Sequence, residues 1–139
     1  MAHPNLVNVT NIVTGYIRFA TDGDQGTTEN LVSNAASSGK LYRITNFTVY
    51  NKDTSSSRAF QLLLFPQDDY AGTSEVIIEA QIAAQGQDGD VYGGNMPQTH
   101  TYIKATHPFY LHEDRSLRFS CGATDDFQGF MCWEEITDA

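Results

Sequence analysis

Pairs of acidic residues are the feature of this sequence that most directly suggests chemistry. An acid–base pair in a catalytic site needs two carboxyl groups held in different environments within one cleft. Most of the pairs fall in segments of turn composition, where Asp is favoured because its side chain bonds to nearby backbone groups. The pairs therefore predict turns rather than catalysis. They are Asp22/Asp24, Asp68/Asp69, Asp88/Asp90, Glu113/Asp114, Asp125/Asp126 and Glu134/Glu135.

Two groups of residues invite comparison with metal sites. The segment Asp22–Gly26 (Asp-Gly-Asp-Gln-Gly) resembles part of a calcium loop, but the bidentate Glu that such a loop needs is missing at the required spacing. Zinc needs three or four ligands that converge. His100, His107 and His112 are scattered near predicted strand ends, which is typical of ordinary polar positions. The sequence predicts no metal site and no cofactor.

Nucleophilic motifs are also absent from the sequence. There is no Gly-x-Ser-x-Gly elbow and no glycine-rich phosphate loop. Cys121 and Cys132 fit neither a CxxC motif nor a Cys/His zinc spacing. In a cytosolic protein such thiols are normally reduced, and these two are predicted to be buried as small apolar side chains. The chain is therefore predicted not to be an enzyme, and no catalytic residue is assigned.

The charge balance restricts the class of partner. The net charge is −9, and the 8 Lys and Arg residues do not cluster, which argues against nucleic acid and against an anionic membrane surface. No apolar run is long enough to span a bilayer, and no signal peptide is visible. We expect a single domain of 139 residues that is made in a cytosol and works without export.

The stretch Lys40–Asn51 (KLYRITNFTVYN) is the element around which we expect the fold to be organised. Tyr42 and Ile44 share one parity of the strand alternation, whereas Phe47 and Val49 share the other. All four side chains can face one core only if an extra residue is inserted between the two pairs. The pattern predicts a long central strand with a β-bulge near Thr45 and Asn46.

The remaining chain reads as short strands separated by Gly/Ser/Asp turns, with no helix-period segment of useful length. The fold class is predicted to be all-β, an antiparallel β-sandwich of jelly-roll type. Arg58–Phe65 is predicted to form a hairpin with the central strand, and Leu117–Cys121 to form a closing hairpin with Phe130–Ile136. The predicted core contains Ile44, Phe47, Val49, Leu62, Leu64, Leu117, Phe119 and Trp133.

Two segments carry apolar residues that the predicted core does not need. Residues 1–11 are predicted to be an N-terminal arm, because a polar segment with scattered apolar residues rarely packs alone. The loop Ala83–Thr99 is long enough to suggest a function. The candidate interface with another protein subunit therefore consists of Leu6, Val7, Val9, Ile12, Tyr92 and Met96.

Several stretches together resemble small β-jelly-roll structural proteins of tailed bacteriophages. The stretch Leu31–Gly39 (LVSNAASSG) leads into the central strand that ends in Asn51, Pro108–Leu117 (PFYLHEDRSL) precedes a Ser-Leu strand, and Trp133–Thr137 (WEEIT) closes the sheet. The resemblance covers roughly residues 28–137. The turn His112–Ser116 departs from it by lacking Gly.

The resemblance implies a virion component, commonly a head decoration (cement) protein or a tail-associated protein, and often a homotrimer. On that basis we expect the major capsid protein as partner and the outer capsid surface as location, with assembly in the cytoplasm of the bacterial host. Two other interpretations remain open. One is a tail-associated adhesin module that binds host glycan through an exposed aromatic platform, and the other is an enzyme of unknown type, which requires a cleft of converging titratable groups.

Overall fold

In the computed structural model the chain is described over residues 9–21, 27–84, 98–122 and 125–138, and these ranges contain nine β-strands and no helix. The strands are β1 (Val9–Thr21), β2 (Thr28–Asn34), β3 (Lys40–Asn51), β4 (Arg58–Phe65), β5 (Glu75–Ile82), β6 (Gln98–Ile103), β7 (Phe109–Leu111), β8 (Arg115–Cys121) and β9 (Phe127–Asp138).

The strands form two antiparallel sheets that enclose a common core. One sheet has the order β1-β9-β3-β6, with the short strand β7 also paired to β3, and the other has the order β2-β8-β4-β5. The chain crosses from one sheet to the other at every connection except β4–β5 and β6–β7. This interleaved order is that of a jelly roll. The predicted all-β antiparallel sandwich is confirmed.

Both predicted hairpins are wrong. β4 pairs with β5 and β8 rather than with β3, and β8 pairs with β2 and β4 whereas β9 lies between β1 and β3. In each case the intervening turn carries the chain to the opposite sheet. Such a crossing uses the same Gly, Ser and Asp residues as a hairpin turn, because both need backbone reversal near solvent.

β3 is the central strand of its sheet and contains the predicted bulge. Its register with β9 shifts between Ile44, which faces Trp133, and Asn46, which faces Cys132. Thr45 is therefore the inserted residue. Because of this insertion, Ile44 and Phe47 are both fully buried although they differ in parity.

The core between the sheets is dominated by phenylalanine rings. The Phe60 ring lies 5.3 Å from that of Phe119, 5.8 Å from that of Phe127 and 6.1 Å from that of Phe47. Burial of each such side chain stabilises the fold by about 1.5–3 kcal/mol. The predicted core is confirmed, since Ile44, Phe47, Val49, Leu62, Leu117 and Phe119 are fully buried and Leu64 and Trp133 pack against them.

Two fully buried asparagines fasten the ends of the strands around β3. The Asn34 amide nitrogen donates to the carbonyl oxygens of Lys40 and Leu111 at 3.0 and 3.2 Å. The Asn51 amide nitrogen lies within 3.2 Å of the carbonyl oxygens of Ile82 and Ala83. Buried carbonyl groups need such partners because burial without them costs free energy. The two asparagines thus bond the β2–β3 turn and the ends of β7 and β5 to the region around the central strand.

Candidate interaction surface

The acidic residues that the structure describes mostly fasten turns. Asp68 accepts a hydrogen bond from the Ala36 amide at 2.8 Å, and Asp125 accepts one from the Gly122 amide at 2.6 Å. The turn interpretation of these two residues is confirmed. Asp22, Asp24, Asp88 and Asp90 lie outside the described residues.

Asp53 has the strongest set of such bonds. Its carboxylate accepts from the backbone amides of Ser55 and Ser56 at 2.8 and 3.0 Å and from Arg58 Nε at 2.8 Å. The Ser55 amide, followed by the Arg58 guanidinium, holds the pKa of Asp53 far below its usual range. A permanently ionised, fully bonded carboxylate is a structural group and not a proton donor.

Glu134 and Glu135 form ion pairs with cations of the neighbouring strand. Glu134 lies 2.9 Å from Arg43 Nη1, and Glu135 lies 2.8 Å from Lys40 Nζ. The pairing cancels the negative charge of both residues in the middle of the sheet. This acidic pair is therefore an electrostatic cross-link between β9 and β3.

Within the described ranges, no three His, Cys, Asp or Glu side chains are grouped closely enough to hold a metal ion. His100 on β6 has its ring 6.2 Å from that of Tyr102, and His107 Nδ1 lies 3.2 Å from the Thr106 hydroxyl. The described residues also contain no helix that is long and apolar enough to cross a membrane. The calcium-like segment Asp22–Gly26 is outside these ranges.

Both cysteines are free thiols, and they lie in different sheets. Cys121 Sγ donates to the Thr21 hydroxyl at 3.4 Å, whereas Cys132 lies opposite Tyr16 and Asn46 in the other sheet. Burial raises the pKa of both thiols. A raised pKa keeps a thiol protonated at neutral pH, which is the opposite of what a nucleophilic cysteine requires.

Exposed apolar side chains are concentrated on the first half of β1. Val9, Ile12, Val13 and Tyr16 have 37, 56, 49 and 57% of their surface exposed. We call these four residues the β1 patch. Among the described strands β1 pairs with β9 alone, so it is the edge of its sheet. Ile12 and Tyr16 lie on the same face of the strand as Arg18, whereas Val13 lies on the face of Phe19. Exposed apolar side chains at an open sheet edge make this strand the candidate interaction site.

The β1 patch contains two of the six residues that the sequence singled out. Val9 and Ile12 belong to β1, where Ile12 pairs with Ile136, so residues 9–11 of the predicted arm are part of a strand. Val13 and Tyr16 were missed. The adjacent apolar residues Ile12 and Val13 were the available signal, because neighbours along a strand project to opposite faces and cannot both reach one core. The other four predicted residues, Leu6, Val7, Tyr92 and Met96, lie outside the described residues.

A shallow groove of about 250 Å³ lies on the same sheet, beyond the β1 patch. Its side chains face away from the core, since Arg18 pairs with Phe130 while the next pair, Phe19 and Gly129, faces inward. The Tyr50 hydroxyl donates to Gln128 Oε1, and the Phe130 ring lies 6.1 Å from that of Tyr16. No carboxylate of the described residues lies within ion-pair distance of Arg18. The groove thus combines aromatic surface, an amide and a cation.

Comparisons with known proteins give similarity in architecture only. No protein-family model matches the chain, and no curated protein matches it significantly. A pentameric capsid protein from metagenomic phage sequences is 16% identical with a TM-score of 0.40, covering 91% of this chain. This chain spans 63% of that protein's length.

Two other solved structures are similar at the same level. A Bacillus endospore appendage protein of disulfide-linked pili is 12% identical, with a TM-score of 0.44 and coverage of 92% of this chain and 89% of its own. The Eiger TNF of S. frugiperda is also 12% identical, with a TM-score of 0.44 and coverage of 99 and 90%. Similarity at this level does not indicate function.

Proposed function

We propose that this chain is a bacteriophage virion structural protein, a decoration (cement) protein that binds the outer surface of the capsid and stabilises it. The observation that carries the proposal is the β1 patch, which presents apolar side chains at a sheet edge where a neighbouring subunit of an assembly can cover them, as expected of an assembling structural protein. The resemblance of residues 28–137 to tailed-phage jelly-roll proteins supplies the biological setting.

The partner in this proposal is the major capsid protein, and the protein acts as a homotrimer. Residues 1–8, including Leu6 and Val7, contact the capsid together with the loop that carries Tyr92 and Met96. A ligand that binds only the assembled lattice stabilises that lattice by mass action. The net charge of −9 favours the outer surface over the DNA-filled interior, because acidic side chains repel phosphate.

The test uses phage heads prepared without the protein. Heads alone, heads with added full-length protein and heads with a variant lacking residues 1–8 are compared for heat-induced DNA release. The truncation ends before β1 begins at Val9, so the sandwich stays folded. We expect full-length protein to raise the release temperature and the truncated variant to bind and protect less. Equal protection by both forms would exclude the arm as the capsid contact.

The groove favours a second candidate function, that of a tail-associated adhesin module that binds host glycan. Aromatic side chains stack on sugar rings, and the Gln128 amide and the Arg18 guanidinium are suited to hydroxyl and carboxylate groups. A glycan array with wild-type protein and an Arg18→Ala variant tests it. Binding to glycan or to tails with none to heads would replace the decoration role by this one.

A further inference from the structure

β1 offers an unusually long open edge for pairing. It has 13 residues and is hydrogen-bonded on one side to β9, which leaves its other row of N–H and C=O groups without a partner strand among the described residues. Natural edge strands are normally blocked by charge, by proline or by a bulge. β1 contains a single charged residue, Arg18, and no proline. Its only register shift is at the end, between Val9 and Asn11.

Charge distinguishes β1 from the edges of the other sheet. Exposed Glu75 and Glu79 lie on the edge strand β5, and Glu29 lies on the edge strand β2. Two copies with a net charge of −9 repel each other, and carboxylates facing each other across a strand pair add to that repulsion. On β9, the strand beside β1, Glu134 and Glu135 are in ion pairs, and the third acid, Asp138, lies opposite Val9 at the end of the strand. A second copy therefore meets less repulsion at β1 than at either edge of the other sheet.

We infer that β1 pairs antiparallel with β1 of a second copy of this chain, about a two-fold axis at Thr14. In this register Ile12 of one copy lies directly opposite Tyr16 of the other, and the reverse pair forms on the far side of the axis. The two most exposed apolar residues of the strand therefore cover each other. A two-fold contact of this kind uses the same surface on both copies. It joins the two β1-containing sheets into one continuous sheet.

The inference deepens the proposed function and rests on it, since it assigns the contact between copies in an assembling protein. It is separate from the three-fold contact of the proposed trimer. Pairing at β1 joins two monomers into a dimer, and it joins two trimers into a closed hexamer where the two-fold axes cross the three-fold axis at right angles. The capsid contact proposed above uses other parts of the sequence, namely residues 1–8 and the 83–99 loop.

The test measures association by sedimentation equilibrium over a range of protein concentrations. We expect wild-type protein to show a concentration-dependent doubling. Ile12→Lys and Tyr16→Glu should each weaken that doubling at least tenfold. The double variant should recover most of it, because each introduced ammonium then lies opposite an introduced carboxylate of the second copy. Val76→Lys is the matched control, since Val76 is an equally exposed apolar residue on the other edge strand, β5.

A measurement on unmodified protein complements the variants. Backbone amides of β1 that point away from β9 should gain protection from hydrogen exchange as the concentration rises. Amides of β5 should not change. A wild-type protein that never doubles, or doubling that survives both single substitutions, would overturn the inference. Loss in the single variants without recovery in the double variant would overturn the register centred on Thr14.

Failure of this inference is distinguishable from failure of the proposed function. Doubling through β1 in a protein that does not bind phage heads would leave the inference standing and exclude the decoration role. The opposite outcome is that the Ile12→Lys variant protects heads as well as wild type does and that neither protein doubles. That outcome would retain the decoration role and exclude pairing at β1.

Discussion

β1 and β5 occupy equivalent positions at the ends of the two sheets, yet their outer surfaces differ in kind. β1 exposes Val9, Ile12, Val13 and Tyr16, whereas β5 exposes Glu75, Val76, Glu79 and Gln81. Each strand pairs with only one neighbour among the described strands. The backbone of both edges is therefore equally open, and the side chains decide which of them accepts another strand.

The inner surfaces of the two strands are alike. Phe19 of β1 lies 4.7 Å ring to ring from Phe119 and is almost completely buried, and Ile82 of β5 is completely buried. Both strands are therefore held to the sandwich by large apolar side chains. The difference between the strands concerns association and not attachment to the fold.

The largest predicted effect tests that shared attachment. Phe19→Ala and Ile82→Ala should lower the free energy of unfolding by about 4 and about 3 kcal/mol, because each removes a buried side chain and leaves a cavity. Urea denaturation measures both, with Arg18→Ala, an exposed neighbour on β1, as the control. A loss below about 1 kcal/mol at Phe19 would show that β1 is only loosely attached and would break the equivalence of the two edges.

A second prediction concerns the close packing of β1 on its neighbour β9. A side chain at Gly15 would collide with the indole ring of Trp133, which also stacks on Tyr42 at 6.4 Å. Gly15→Ala should cost about 2 kcal/mol through overpacking. Trp133 is the only tryptophan, so its fluorescence should shift to longer wavelength as the ring is displaced. An unchanged spectrum, equal to that of a Thr14→Ala control, would contradict the contact.

The third prediction asks whether carboxylates close the β5 edge. In an Ile12→Lys background, which removes pairing at β1, the double variant Glu75→Gln, Glu79→Gln should self-associate about fivefold more tightly. The gain corresponds to roughly 1 kcal/mol for removing like charges that face each other across a strand pair. Analytical ultracentrifugation measures it, with Asp69→Asn in the β4–β5 loop as a charge control. If the affinity of self-association does not increase, the geometry of β5 rather than its charge prevents a second copy from pairing there.

The smallest predicted effect is a pH dependence that separates the two sides of the molecule. The pKa of Asp53, at the entry to β4, is lowered by folding, so its stabilisation is complete above the unfolded value of 3.8 and is lost as the pH falls below it. β1 ends instead at the Thr21 hydroxyl, which accepts from the Phe127 amide at 3.2 Å and does not titrate.

Hydrogen exchange at falling pH measures this difference. Amides of the β4–β5 side should lose protection before those of β1, and Asp53→Asn should remove most of the difference at a cost of about 1 kcal/mol above pH 5. Arg58, which also lies 3.4 Å from Asp125, stays charged throughout. Simultaneous loss on both sides would contradict the assignment to Asp53.

The fold was predictable where local pattern carries the information. The change of parity between Ile44 and Phe47 predicted the bulge at Thr45, and alternation predicted the buried residues of β3, β4 and β8. Strand pairing was not predictable in this way. The turns after Asn51 and Cys121 have hairpin composition, yet both cross between the sheets. Which sheet a strand joins depends on contacts remote in sequence.

The interaction surface was only partly visible for the same reason. Val9 and Ile12 were recognised as apolar residues without a place in the core, but Val13 and Tyr16 were missed. Exposure at a sheet edge depends on which strand lies beside β1, and that strand, β9, is the last in the chain. The groove at Arg18 likewise requires Tyr50 and Gln128 from two other strands.

The position of β9 between β1 and β3 has a consequence for biosynthesis. On the ribosome, β1 and β3 emerge long before Phe127–Asp138, and neither can complete its sheet until that segment leaves the exit tunnel. Pairing between the first and last strands makes the fold rich in long-range contacts, and such topologies fold slowly. The apolar strand β1 therefore has no partner strand until β9 has been synthesised. Chaperone capture of the nascent chain should accordingly begin at this strand and end with the insertion of β9.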